Sequence, residues 1–167
     1  MNTKTKKIAF VGLMASLAMI LSYIELLIPP VFTALPGIKM GLPNIVIIFT
    51  LYKLGIKEAA TVSFVRLVCV SLLFGNAMIF AYSLAGAFLS LTLMSVLKRL
   101  DSFSPVGVSV AGAISHNAGQ TMVAIILLER VEIGYYMLAL TVSGTVAGIL
   151  VGLAAVYLLK ILANLKI

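Results

Sequence analysis

The sequence has little charge and few of the side chains that catalyse reactions or bind metals. It holds one cysteine, one histidine, no tryptophan and a single aspartate, Asp101, and only 10% of its residues are charged. One cysteine excludes a disulfide framework, and a lone histidine does not make a metal site. The chain also lacks the clustered aspartates of prenyl-transfer enzymes and the GxxxxGK[ST] loop that binds ATP phosphates. We therefore expect no catalytic residues, no cofactor and no ATP hydrolysis by this chain itself.

Apolar residues make up most of the chain. Of its 167 residues 62% are hydrophobic, and the mean hydropathy is +1.21. Soluble domains have about 45–50% apolar and about 25% charged residues, and a soluble protein of this size could not hide so much apolar surface. At roughly 20 residues per spanning helix the chain has room for six or seven spans at most. We predict one membrane domain over residues 1–167, located in the cell membrane.

Six apolar segments stand out along the chain. They show no period-2 alternation, which favours helices over the strands of a membrane barrel. The predicted fold is all-α, an integral membrane bundle of six transmembrane helices at about 8–28, 42–54, 58–74, 77–97, 104–128 and 135–162.

The basic residues predict the orientation of this bundle. With the N-terminus inside, nine of the 12 lysines and arginines fall in cytoplasmic segments: Lys4, Lys6, Lys7, Lys53, Lys57, Lys98, Arg99, Lys160 and Lys166. Lys39 and Arg130 fall in outer loops, and Arg66 lies inside the third helix. This positive-inside bias requires an even number of spans and places both termini in the cytoplasm. It also explains the net charge of +7 without a nucleic-acid partner.

Small residues recur every four positions on the last two helices. They are Gly107, Ala111, Ser115 and Gly119 on the fifth, and Gly144, Gly148 and Gly152 on the sixth. Such spacing keeps them on nearly one face, where helix backbones approach closely. The face packs inside the bundle or docks a partner membrane subunit.

Arg66 is the most costly side chain in the apolar segments. It follows Lys57 by nine residues, which places it roughly 13 Å into the bilayer. An arginine at this depth keeps its charge and needs carbonyls, water, a carboxylate or an anionic ligand. It either bonds to the protein or faces a ligand.

His116, Asn117 and Gln120 form the main polar cluster of the fifth helix. His116 and Gln120 are four residues apart and share a face, with Asn117 one step round. These side chains either bind a ligand or tie helices together by hydrogen bonds.

Four further residues near the outer face are candidates for ligand binding. Glu25 ends the first helix, Lys39 and Asn44 flank a Pro/Gly-shaped segment, and Tyr82 starts the fourth helix. Solvation explains an interfacial glutamate equally well, and an aromatic belt explains the tyrosine.

Several short segments resemble one family. They are LSYIE at 21–25, PGIKMGLPN at 36–44, SLAG at 83–86, FSPVG at 103–107 and HNAGQ at 116–120. Together they resemble the Gx transporter family, often labelled heptaprenyl diphosphate synthase component I. This family is similar to the substrate-binding S components of energy-coupling factor (ECF) importers, which bind vitamins near the outer face.

The resemblance implies a binding subunit for a small vitamin, cofactor, flavin or quinone precursor. Its partners would be a transmembrane coupling subunit and two cytoplasmic ATPases. S components dock through an Ala-xxx-Ala pattern on the first helix, which Gly12 with Ser16 and Ala18 with Ser22 resemble here. The alternative is a non-catalytic membrane accessory of a polyprenyl diphosphate, quinone or respiratory enzyme system. A channel-like pore is a third reading, but the sequence lacks repeated rings of charge.

The topology can be tested by labelling from outside the cell. A membrane-impermeant thiol reagent should modify a cysteine introduced in the 29–41 loop and should not modify one introduced near either terminus. Labelling of a terminal cysteine in intact cells would contradict the predicted orientation.

Overall fold

The computed structural model describes residues 2–28 and 41–164. They form six α-helices and one 3-10 helix, at Val131–Tyr136. The α-helices are α1 Thr3–Leu27, α2 Pro43–Lys53, α3 Ile56–Phe74, α4 Ala77–Arg99, α5 Pro105–Leu128 and α6 Met137–Ile161. The described part of the chain contains no strand, so the predicted all-helical fold is confirmed there.

Side-chain caps start two of these helices at the predicted places. The Asn76 side chain accepts a hydrogen bond from the Ile79 amide at 2.9 Å, and Ser104 accepts one from Gly107 at 3.1 Å. Each cap satisfies a backbone amide that the first turn of a helix leaves unpaired. Pro105 then occupies the first turn of α5, where its missing amide costs nothing.

The helices alternate in direction, so that one end of the bundle collects the basic residues. Lys7 of α1 pairs with Glu58 of α3, and Lys53 of α2 donates to the Leu162 carbonyl at 2.8 Å, beyond the end of α6. We call this the lysine end. It carries Lys4, Lys6, Lys7, Lys53, Lys57, Lys98, Arg99 and Lys160. The basic residues that the sequence pattern assigns to one side of the membrane therefore also lie at one end of the folded bundle.

Helix α2 is short and enclosed. Its 11 residues extend about 16 Å, roughly half the thickness of a bilayer core. Val46, Ile48, Phe49 and Leu51 are at most 2% exposed. Lipid does not reach this helix, because α1, α3 and α6 all pack against it.

Four helical segments are long and apolar enough to cross a membrane by themselves. They are Thr3–Leu27, Ala77–Arg99, Pro105–Leu128 and Val131–Ile161. Helix α2 is too short for this, and α3 carries Lys57, Glu58 and Arg66 within 19 residues. All six predicted helices are present, but their length and composition identify four membrane spans rather than six.

Large apolar side chains cover the outside of the bundle. Leu72, Phe88, Leu138 and Tyr157 are between 65% and 80% exposed. A water-soluble protein rarely exposes such a continuous apolar surface, whereas hydrocarbon solvates it without cost. The outer surface therefore fits a membrane-embedded protein.

Glycines let α5 lie directly against both of its neighbours. A Cβ at Gly119 would stand 2.8 Å from the Ala85 carbonyl oxygen of α4, and one at Gly148 would stand 2.7 Å from the Val110 Cα of α5. Across the second contact, Ser109 donates to the Gly148 carbonyl at 2.6 Å. The small residues of α6 thus pack inside the bundle rather than on its surface.

A matched pair of glycine substitutions tests this contact. Gly148→Ala should lower the melting temperature in detergent, because the new methyl group overlaps the Val110 backbone, and overpacking costs about 1–3 kcal/mol. Gly12→Ala should leave it unchanged or slightly higher, since nothing lies within 4 Å of that position and alanine favours the helix. Equal stability of both variants would show that the α5–α6 contact is looser than described.

Candidate functional site

A cavity of about 110 Å³ lies inside the bundle, lined by residues of all six helices. This volume is several times what a single water molecule needs. Its wall mixes apolar side chains with charged groups, amides and hydroxyls. Polar groups converging on an internal space are what a small-molecule site requires.

Six of the eight predicted ligand-binding residues line this cavity: Glu25, Asn44, Arg66, His116, Asn117 and Gln120. The structure therefore brings together groups that are up to 95 positions apart in the sequence, from α1, α2, α3 and α5. Lys39 lies outside the described residues. Tyr82 is not part of the cavity wall, and its hydroxyl is enclosed without a hydrogen-bond partner among the described residues.

Arg66 has few partners for a charged group inside an apolar bundle. One of its terminal nitrogens donates to the Ser22 hydroxyl at 3.4 Å, a long contact for a hydrogen bond. Its Nε is enclosed and has no partner within residues 2–28 and 41–164. The guanidinium therefore has hydrogen-bonding capacity that the described protein does not fill.

Glu25 is the acidic residue that shares the cavity wall with this arginine. It acts electrostatically on Arg66, but the two form no ion pair. Its carboxylate instead accepts a hydrogen bond from the Gly41 amide. Gly41 has a positive φ of 74°, a conformation that suits glycine and that presents this amide to the carboxylate.

The polar cluster of α5 divides into different roles. The Asn117 amide donates to the Leu140 carbonyl at 2.8 Å and so ties α5 to α6. The Gln120 amide has no hydrogen bond to another described residue, and its stem packs against Gly86 of α4. The backbone of His116 also lies against Gly86: a Cβ added at Gly86 would stand 2.8 Å from the His116 carbonyl oxygen. Asn117 therefore has a structural contact, while Gln120 keeps free capacity at the cavity.

Serines complete the cavity wall and were not predicted there. The serines that line it from α1, α3, α4 and α5 are Ser22, Ser71, Ser83, Ser90 and Ser109. Ser22 lies three residues before Glu25, so both share a helix face. That spacing could have pointed to Ser22, whereas serines are too common in apolar helices for the sequence to identify the other four.

The four predicted docking residues of α1 separate into two environments. Gly12 and Ser16 are exposed. Ala18 is completely buried and Ser22 is 6% exposed, so both face the chain's own helices. A partner subunit can reach the first pair but not the second without a change in packing. Docking at Gly12 and Ser16 stays a prediction.

A comparison with known families identifies the chain's relatives. The family model described as heptaprenyl diphosphate synthase component I matches residues 14–158. The match covers most of the chain, which therefore belongs to this family. Comparisons with curated proteins and with solved structures returned no match.

The two roles on α5 can be separated by stability measurements. Asn117→Ala should lower the thermal stability, because it removes the bond to the Leu140 carbonyl; such bonds inside membrane proteins contribute about 0.6 kcal/mol and at most about 1.7 kcal/mol. Gln120→Ala on the same helix should change stability much less. A larger loss for Gln120→Ala, measured in the same detergent, would reverse this assignment.

Proposed function

We propose that this chain is the membrane-embedded binding subunit of an ATP-driven importer for a small molecule. The observation that supports this most directly is the internal cavity, where polar groups from several helices converge. Polar side chains inside an apolar bundle cost free energy, so their grouping around one space favours a binding role. The resemblance to S components suggests a vitamin, cofactor or quinone precursor as the substrate.

The energy for import would come from other proteins. The chain has no phosphate-binding loop of the GxxxxGK[ST] kind, and we propose that it catalyses no reaction. ATP hydrolysis would come from two cytoplasmic ATPases through a transmembrane coupling subunit. The exposed Gly12 and Ser16 of α1 would contribute to the contact with that subunit.

The proposed topology places the lysine end in the cytoplasm. Glu25 and Asn44 lie at the ends of their helices away from the lysine end, Gly41 lies just before α2, and all three line the cavity. A ligand would then enter from the outer face. In this topology α2 and α3 would also be membrane spans, which brings the number of spans to six. The short α2 could lie within the membrane because other helices shield it from lipid.

The family description favours a second candidate function. Its words name a component of heptaprenyl diphosphate synthase. In that case the chain would be a membrane accessory that assists a separate catalytic subunit. The single aspartate argues against catalysis of prenyl transfer by this chain, because that chemistry uses clustered aspartates to hold magnesium and diphosphate.

Filling the cavity tests the binding role. Ser83→Leu adds bulk to the cavity wall and should reduce, by tenfold or more, the amount of small molecule that stays bound through detergent purification. Thr92→Leu on the exposed side of the same helix is the matched control and should leave the amount unchanged. Mass spectrometry of the extracted small molecules gives the measurement. Equal retention by both variants would argue against this cavity as the binding site.

Copurification from the native membrane separates the two functions. An importer subunit should bring down two ATPases and a membrane coupling subunit, whereas an accessory should bring down a prenyl-transfer enzyme. Recovery of the enzyme without ATPases would overturn the importer proposal and support the accessory function.

A further inference from the structure

We propose that the ligand of this cavity carries a negative charge, such as a carboxylate or phosphate group, and that Arg66 binds that charge. The inference rests on the proposed binding function and adds the chemical class of the ligand. Its basis is that Arg66 lines the cavity without an ion pair and with one long hydrogen bond among the described residues.

The protein's own acids leave Arg66 without an ion-pair partner. The chain has five acidic residues. Glu58 is paired with Lys7 at the lysine end, while Asp101, Glu129 and Glu132 are exposed outside the cavity. Only Glu25 lines the cavity, and its carboxylate accepts from the Gly41 amide. A negatively charged ligand would supply the missing partner.

The geometry of Arg66 suits an anion better than a neutral ligand. Its Nε is enclosed without a partner among the described residues, and the single bond to Ser22 is long at 3.4 Å. A guanidinium presents its N–H groups as a planar fork that matches carboxylate and phosphate oxygens. A purely structural arginine would instead be expected to bind several carbonyls. Arg66 lines the cavity and its terminal nitrogens make only this one long bond to another described residue, so a guest that provides oxygen acceptors would fill the donors that remain there.

The neighbouring groups would recognise the uncharged part of the ligand. Gln120 and Asn44 offer amides, and Ser71 and Ser83 offer hydroxyls, around the same space. These groups donate and accept hydrogen bonds without adding charge. The proposed ligand is thus a small anion with further polar atoms.

Glu25 supplies a test of the sign of the charge. Its carboxylate repels an anion in the cavity, so removing this charge should strengthen anion binding. Glu25→Gln keeps an oxygen that accepts from Gly41. Arg66→Gln removes the opposite charge, and the two variants should therefore shift affinity in opposite directions.

The experiment compares benzoate with benzamide, a neutral molecule of nearly the same shape, as probes of the purified full chain. Benzoate should raise the melting temperature of the wild type, and benzamide much less. Calorimetry should find benzoate binding weakened about tenfold or more by Arg66→Gln, as expected for a charge-assisted contact. Glu25→Gln should bind benzoate more tightly than the wild type.

A chemical measurement on the native arginine covers the case in which Arg66→Gln fails to fold. The chain has three arginines, so Arg99→Lys with Arg130→Lys leaves Arg66 as the one arginine that phenylglyoxal can modify, and peptide mass spectrometry follows that site. Benzoate should slow its modification, and benzamide should not.

Three results would overturn the inference: no binding of benzoate to the wild type, equal binding of the two probes, or unchanged benzoate affinity in a folded Arg66→Gln variant. Each is distinguishable from failure of the importer proposal. Copurifying ATPases and a retained small molecule that depends on Ser83 would still support a binding subunit, whose ligand would then be uncharged.

Discussion

Helix α5 meets both of its neighbours through glycine, and the position of every polar group on it depends on these contacts. Gly119 and Gly86 bring α5 against α4, while Gly148 brings α6 against α5. Because backbone lies on backbone, a single added methyl group would move α5 relative to its neighbours, since packed interiors have little free volume. The cavity face of α5, with Asn117 and Gln120, is thus positioned by residues that have no side chain.

The second constraint is the charge of Arg66, which lies inside a largely apolar bundle. A guanidinium in such surroundings must find polar atoms or water. The cavity provides them in the form of the Ser22 hydroxyl, the nearby Glu25 carboxylate and open space. The space and the charge are therefore connected: if the cavity were packed with apolar side chains, Arg66 would be enclosed with almost no partners.

Much of the fold follows from local patterns in the sequence, and the exceptions have physical causes. The apolar runs predict the helices, and the side-chain caps of Asn76 and Ser104 start two of them where those runs begin, because hydrophobicity and capping act within a few residues. The enclosure of α2 was not predictable, because a short apolar segment has the same sequence pattern whether lipid or protein surrounds it.

The role of Ser22 in the site was not predictable from the sequence either. A small polar residue fits close helix packing and also accepts from an arginine, and only its burial and its contact with Arg66 distinguish the two.

Helix α1 connects the cavity with the outside of the bundle. Ser22 and Glu25 face the cavity, and Gly12 and Ser16, about two to three turns earlier, are exposed on the surface. Glu25 also holds the Gly41 amide at the start of the segment that leads into α2. A molecule bound beside Arg66 would meet α1 on its cavity side and would compete with, or strengthen, the contacts that Ser22 and Glu25 make there. Within the proposed importer, one rigid helix would therefore contact both the occupant of the cavity and any partner at Gly12 and Ser16, without a separate signalling element.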